Sequence, residues 1–262
     1  MYALLKNECK SGFKSLMIWA LSVGGLGFVC ILLFQSMEDS MVGMAEQFAS
    51  MGAFSEAFGM STLSIATLKG YFATEIGTIH SLGSGMFAAT LATVILSKEE
   101  DGHTAEFTFT LPLSRVKIIT VKYLSVFVNL IVFTGICTLL YLTGFLVLGE
   151  EPGSEFFLYM LMQFMMNVEV AAICFLISAM SKKNKLGLGI SVALILYLYD
   201  LMARVVPSLK NAAFLSPFSY ANATTIFSKS EIELIALVTG AVIIIGMTVV
   251  SGMIYARRDL AS

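Results

Sequence analysis

Three acidic side chains and one imidazole stand among apolar neighbours, and they are the first candidates for chemistry. Glu169 lies near the middle of the apolar run 156–181, two residues after Asn167, with no opposite charge within helical reach. A carboxyl group there must face the inside of a bundle, protonated or paired. That suits substrate contact or gating, and equally a buried hydrogen bond between helices. Asp200 and Arg204 are four apart with the acid first, the favourable order for an intrahelical pair, and read as a structural ion pair. Glu75 and His80 are five apart and do not share a helix face. A lone His without a second His, Cys or paired carboxylate at ligand spacing reads as a satisfied polar residue before it reads as a metal or proton site. Ser84 follows His80 by one turn on the same helix with no third group to orient the pair, so it makes no hydrolase constellation. No catalytic set and no metal set emerges. The chain also has no G-x-x-x-x-G-K-[ST] and no Gly-Lys dipeptide, so it brings no P-loop of its own.

The elements that must position these residues follow from composition. Of 262 residues, 57% are hydrophobic and 13% charged, against about 25% charged in a soluble domain. That excludes an ordinary soluble globule, and a mean hydropathy of +0.85 excludes disorder. Six segments nearly free of ionisable residues, 15–37, 76–97, 123–149, 156–181, 186–209 and 234–256, each reach the ~20 residues a helix needs to cross a bilayer. They are apolar on all sides rather than alternating, as helices demand and barrel strands do not. The expectation is an all-α polytopic membrane protein, one transmembrane domain over 1–262. Lys6, Lys10 and Lys14 precede the first run as in a signal peptide, but the run is too long and no A-x-A-like site follows, so it reads as an uncleaved span.

Orientation follows from the bases. With the N-terminus inside, Lys6, Lys10, Lys14, Lys98, Arg115, Lys117, Lys122, Lys182, Lys183, Lys185, Arg257 and Arg258 fall on the inner side, leaving Lys69, Arg204, Lys210 and Lys229 outside. The basic excess places both termini in the cytoplasm. Cys9 is then cytoplasmic and Cys30, Cys137 and Cys174 lie within spans, so no outer pair offers a disulfide. Gly24, Gly25 and Gly27, and the run Gly83-Ser84-Gly85, permit close helix approach and read as packing seams, within the chain or between protomers.

The connections carry more information than the spans. Residues 1–14 form a basic amphipathic stretch. After the first span, Met37, Met41, Met44, Phe48 and Met51 recur at steps of four and three, one face of an amphipathic helix. A packing cap over the bundle is the simpler reading of it, and a lip helix in the outer interface the alternative. The outer region 207–233, broken by Pro207 and Pro217, is too apolar around Leu215-Ser216-Pro217-Phe218-Ser219-Tyr220 for a solvated loop. It reads as short re-entrant helices or as an interfacial aromatic belt. The inner connection 98–117 begins with Lys98-Glu99-Glu100-Asp101-Gly102-His103-Thr104 and continues through an apolar stretch to Pro112. That pattern describes a short helix entered from a turn, with acidic flanks and an apolar edge suited to a groove on a cytoplasmic partner.

This connection resembles the second intracellular loop of the membrane subunits of ABC-2-type exporters, approximately E-x-x-x-G-T-x-E-x-L-L-x-x-P-x-S-R. Glu99 and Glu100 stand at its acidic start, Gly102 and Thr104 at the G-T pair, and Ala105, Glu106 and Phe107 at the next turn. Pro112, Ser114 and Arg115 stand at its end, while His103, Thr108 and Thr110 depart from it. The resemblance also takes in the amphipathic N-terminus, the six-span order and 215–220. It implies a type V exporter-like permease fold and a dimer of twelve spans, homodimeric or of two related chains. It implies two copies of a separate ABC ATPase, with ATP and Mg bound on that partner and none on this chain. The loop would be an ATPase-coupling helix, and the setting a bacterial plasma membrane. The cargo suggested by apolar spans with few buried bases is hydrophobic or amphipathic, such as a peptide antibiotic, a drug or a lipid-like compound. A secondary transporter or channel using Glu169 and Asp200 is the rival reading. It predicts repeats between chain halves, which the sequence does not show, and leaves 99–115 unexplained.

Overall fold

A computed structural model describes residues 2–102 and 114–257. The described residues contain helices and no strand. Five of these helices are long and apolar enough to cross a membrane.

The first of them, α1 (Tyr2–Ala49), is one uninterrupted helix of 48 residues. At 1.5 Å per residue it is about 72 Å long, more than twice a ~30 Å hydrocarbon core. The interfacial helix 1–14, the span 15–37 and the Met face are therefore not separate elements. The reason is chemical: the chain's first proline is Pro112, and nothing ends α1 before Gly52, which takes φ +56°. Of the Met face, Met41 packs against the core, while Met37, Met44 and Met51 remain exposed. The face is thus only partly covered, at Met41 and Phe48.

Leu16, Ala20, Val23, Gly24, Gly27, Ile31 and Phe34 recur at helical spacing and form the buried face of α1. That face packs along α6 (Arg115–Leu148). The glycines explain the close approach: a Cβ on Gly24 would lie 3.1 Å from Cys137 Sγ, and one on Gly27 2.5 Å from the Tyr141 ring. Gly83 meets Val23 and Gly85 meets Phe218 in the same way. These seams lie inside one chain. Gly27→Leu is accordingly expected to destabilise by about 1–3 kcal/mol through overpacking. Thermal unfolding of the detergent-purified protein reads this, with Gly25→Leu as control, because no atom lies within 4 Å of a Cβ built there. Equal losses in both variants contradict the seam.

After α2 (Ala53–Phe58), the chain is helical from α3 (Leu68–Tyr71) through a π turn (Phe72–Ile76) into α4 (Gly77–Val94). Thr67 Oγ1 caps its start, accepting from Gly70 N at 3.1 Å. The second predicted segment thus begins at Leu68 rather than 76, and Glu75 falls in the π turn. α4 is not among the five apolar helices. It carries His80, Ser81, Ser84 and Thr93, all buried, because it sits in the middle of the molecule against α1, α7 (Ser154–Met180) and α8 (Leu186–Val205).

Two further boundaries move. α6 starts at Arg115, inside the predicted connection 98–117, because Ser114 Oγ caps it by accepting from Lys117 N at 3.4 Å. α8 ends at Val205 rather than 209, since Pro207 opens a new short helix, α9 (Pro207–Lys210). A 3₁₀ turn (Ala213–Leu215), α10 (Pro217–Tyr220) and α11 (Ala223–Lys229) follow, and α12 (Leu234–Arg257) closes the bundle. All four residues of α10 are buried, against α7, α8 and α12. Ser216 Oγ fixes its entry, accepting from Phe218 N and donating to Leu196 O at 3.1 Å. Asn222 Oδ1 caps α11 by accepting from Thr224 N at 3.0 Å. Residues 216–227 are thus mostly buried, with side-chain caps that answer backbone N–H groups at the starts of α10 and α11. Pro217 and Tyr220 lie inside this packing, while Pro207 is exposed.

Candidate functional site

The densest charged arrangement in the described residues is a cluster of two acids and two bases at the end of the bundle that holds the start of α1. A short helix, α5 (Lys98–Asp101), follows α4 there. Lys122 of α6 has no exposed surface. Its Nζ donates to Ile95 O at 2.8 Å, to Glu8 Oε1 at 3.1 Å and to Glu99 Oε1. The other Glu8 oxygen accepts from Lys98 Nζ. An ammonium buried this completely survives only because two carboxylates and a carbonyl replace its water. The cluster therefore ties α1, α5 and α6 into one joint. Burial pushes the Glu99 carboxyl above the usual range, with the neighbouring Lys122 pulling the other way.

The Glu99 side chain turns inward onto Lys122. Glu100 is half-buried and Gly102 exposed beside it. Thr104, Ala105, Glu106, Phe107 and Pro112 lie outside the described residues. Ser114 has a local task as the cap of α6. Arg115 Nη1 donates to Ala256 O at 3.2 Å, joining α6 to the end of α12. The sequence marked Lys122 only as an inner-side base and did not single out Glu8. A signal was present all the same: Lys122 shares its helix face with Ile118, Ser125, Val126 and Asn129, all buried.

The second candidate group lies deeper. Glu169 is 1% exposed, and its Oε2 accepts from the Tyr220 hydroxyl at 2.9 Å. A Cβ on Gly240 of α12 would fall onto that same oxygen, so α7, α10 and α12 meet at this carboxyl. Asn167 is fully buried, and neither of its amide atoms has a protein partner. It does not join Glu169, since residues two apart on a helix face different ways. Gln163, one turn earlier, donates from Nε2 to Ser81 Oγ at 2.7 Å and to Ala221 O at 2.8 Å. The link from Glu169 to Tyr220 was not legible, because it joins residues from separate elements across the bundle.

His80 is fully buried with Nδ1 3.0 Å from the Tyr141 hydroxyl, among the rings of Phe133, Tyr141 and Tyr159. Among the described residues, no three His, Cys, Asp or Glu side chains gather as a metal site. Asp200 and Arg204 form their ion pair, and Arg204 Nη1 also donates to Ala57 O at 2.9 Å, holding the chain before α3 onto α8. Both line an open vestibule of about 370 Å³ at the opposite end from the Lys122 joint.

A family model described as "ABC-2 family transporter protein" matches residues 2–260. No curated protein matches the chain.

Proposed function

The chain belongs to the ABC-2 family of transporter proteins, whose members are membrane subunits that work with an ABC ATPase, and on that premise we propose that it is the permease of an ATP-driven exporter. In this reading it crosses a bacterial plasma membrane six times, with α3–α4 as the second span and both termini in the cytoplasm. Two copies, or one copy and a related chain, form the pathway. Two ATPase subunits bind ATP and Mg and hydrolyse the nucleotide. The cargo is hydrophobic or amphipathic.

One observation carries the reading. α5, which opens the segment resembling the coupling loop, is fixed to α1 and α6 through the buried Lys122 joint. A force applied by an ATPase at this segment would therefore reach two long helices at once. Glu169 with Tyr220 would serve as a gating or substrate contact where α7, α10 and α12 converge, with Asn167 as a further polar group within the bundle. The rival reading, a secondary transporter using Asp200 and Glu169, is less well supported: Asp200 is neutralised by Arg204 and Glu169 is engaged by Tyr220.

The test is co-expression with an ABC ATPase from the same genome, followed by co-purification and ATP hydrolysis in liposomes. The expected result is a stable complex whose hydrolysis responds to the permease. Glu100→Arg is expected to reduce recovery of the complex or its coupled hydrolysis at least fivefold. Cargo movement by this chain without an ATPase, or normal assembly and coupling in the variant, overturns the reading.

A further inference from the structure

The vestibule is lined by charges of both signs. Three bases and three acids line it: Arg204, Lys210 and Lys229 against Asp200, Glu231 and Glu233. Asp200 is already paired with Arg204, and Glu233 accepts from Ser219 Oγ. Lys210, Lys229 and Glu231 are exposed and form no ion pair among the described residues. At about 370 Å³ the space falls within the range of small-ligand sites. A pocket with balanced charges gains little from a ligand of one sign. A ligand carrying a cation and an anion a few ångströms apart can answer both sets at once.

A second feature says what is attached to that ligand. The vestibule rim, at Ile232 and Glu233, runs directly into α12. There Ile235, Val238, Val242, Ile245 and Val249 form a stripe at alternating steps of three and four, each more than half exposed. A charged pocket continuous with an apolar stripe matches a head group followed by acyl chains.

From this we infer that the vestibule binds the head group of a zwitterionic phospholipid, phosphoethanolamine by preference, with the lipid tails along α12. The phosphate is met by Lys210 and Lys229. The primary ammonium is met by Glu231 and Glu233, to which it can donate hydrogen bonds that a quaternary choline cannot. Under the orientation proposed above the vestibule faces the outer leaflet, whereas the binding itself does not rest on that orientation, so the two can fail separately.

The experiment is native mass spectrometry of the detergent-purified chain titrated with phosphatidylethanolamine, phosphatidylcholine and phosphatidylglycerol of equal acyl length, and with tail-less glycerophosphoethanolamine as competitor. Phosphatidylethanolamine is expected to be retained at least tenfold more strongly than phosphatidylglycerol, with phosphatidylcholine between them. Lys229→Glu should cut its retention about tenfold. Glu231→Lys should turn the preference toward phosphatidylglycerol, a change of selectivity that a loss of folding cannot imitate. Both residues are exposed, and unchanged thermal unfolding without lipid confirms intact variants. Equal retention of the anionic lipid, or unaltered selectivity in Glu231→Lys, overturns the site. Competition by the tail-less compound as strong as by the lipid itself overturns the role of α12 and with it the lipid as ligand.

Discussion

Replacing Lys122 with methionine is expected to destabilise the protein by about 3–5 kcal/mol, because the change strips Glu99 of its cation and leaves the buried Glu8 with Lys98 alone. Glu8 is 4% exposed, and the Glu99 side chain 14%. Neither can recover in water what it loses from Lys122. Thermal unfolding of the detergent-purified chain measures the effect. Lys98→Met should cost much less, since Lys98 is partly solvated and contacts Glu8 alone among the described acids. A third variant separates folding from coupling. Glu8→Leu with Glu99→Leu and Lys122→Met removes the whole charged set, and apolar replacement of a buried ion cluster is often neutral or stabilising. That variant is expected to regain stability while ATP hydrolysis stays uncoupled from transport, because a nonpolar contact lacks the directional bonds that hold α5 in one position. Full transport in the triple variant would show that the joint is structural only.

The second large effect is expected at Glu169. Glu169→Gln preserves an oxygen that can accept from Tyr220, so stability should hold within about 1 kcal/mol. Transport in a reconstituted complex should nevertheless fall at least tenfold, with ATP hydrolysis retained, if the carboxyl takes part in gating. Glu169→Leu is a different lesion. It strands the Tyr220 hydroxyl in a buried site and should cost about 1–3 kcal/mol of stability as well. Tyr220→Phe serves as the partner control: it leaves the carboxyl in place and removes only its donor. Wild-type transport in Glu169→Gln would assign the residue to packing and nothing more.

The legibility of these features differs for physical reasons. Helical membrane segments were readable because a bilayer imposes length and apolarity, and the segment 234–256 matches α12 (Leu234–Arg257) almost end to end. Apolarity was a poorer guide to helix ends. It marked where α1 would be buried in lipid and said nothing about the helical residues on either side, where no proline or cap intervenes. The reverse happened at the second segment. α4 carries buried polar residues because its surroundings are protein, so hydropathy understates it. Pairing across the chain was the least legible property. Asp200 with Arg204 could be read from a spacing of four, but Glu8 with Lys122 joins the two ends of a separation of 114 residues. No local periodicity encodes such a contact.

The unbroken length of α1 has a mechanical consequence. Gly24 and Gly27, the positions at which the helix could most easily flex, are pressed against α6, so they are not free to act as a hinge. A rod about 72 Å long that pivots within the bundle behaves as a lever arm: a tilt of ~10° carries one tip roughly 12 Å relative to the other. Glu8 lies near one tip, and the exposed methionines Met44 and Met51 lie at or just beyond the other. A small rotation taken up at the Lys122 joint is thereby converted into a large sweep at the far side, with no intermediate part needing to move independently.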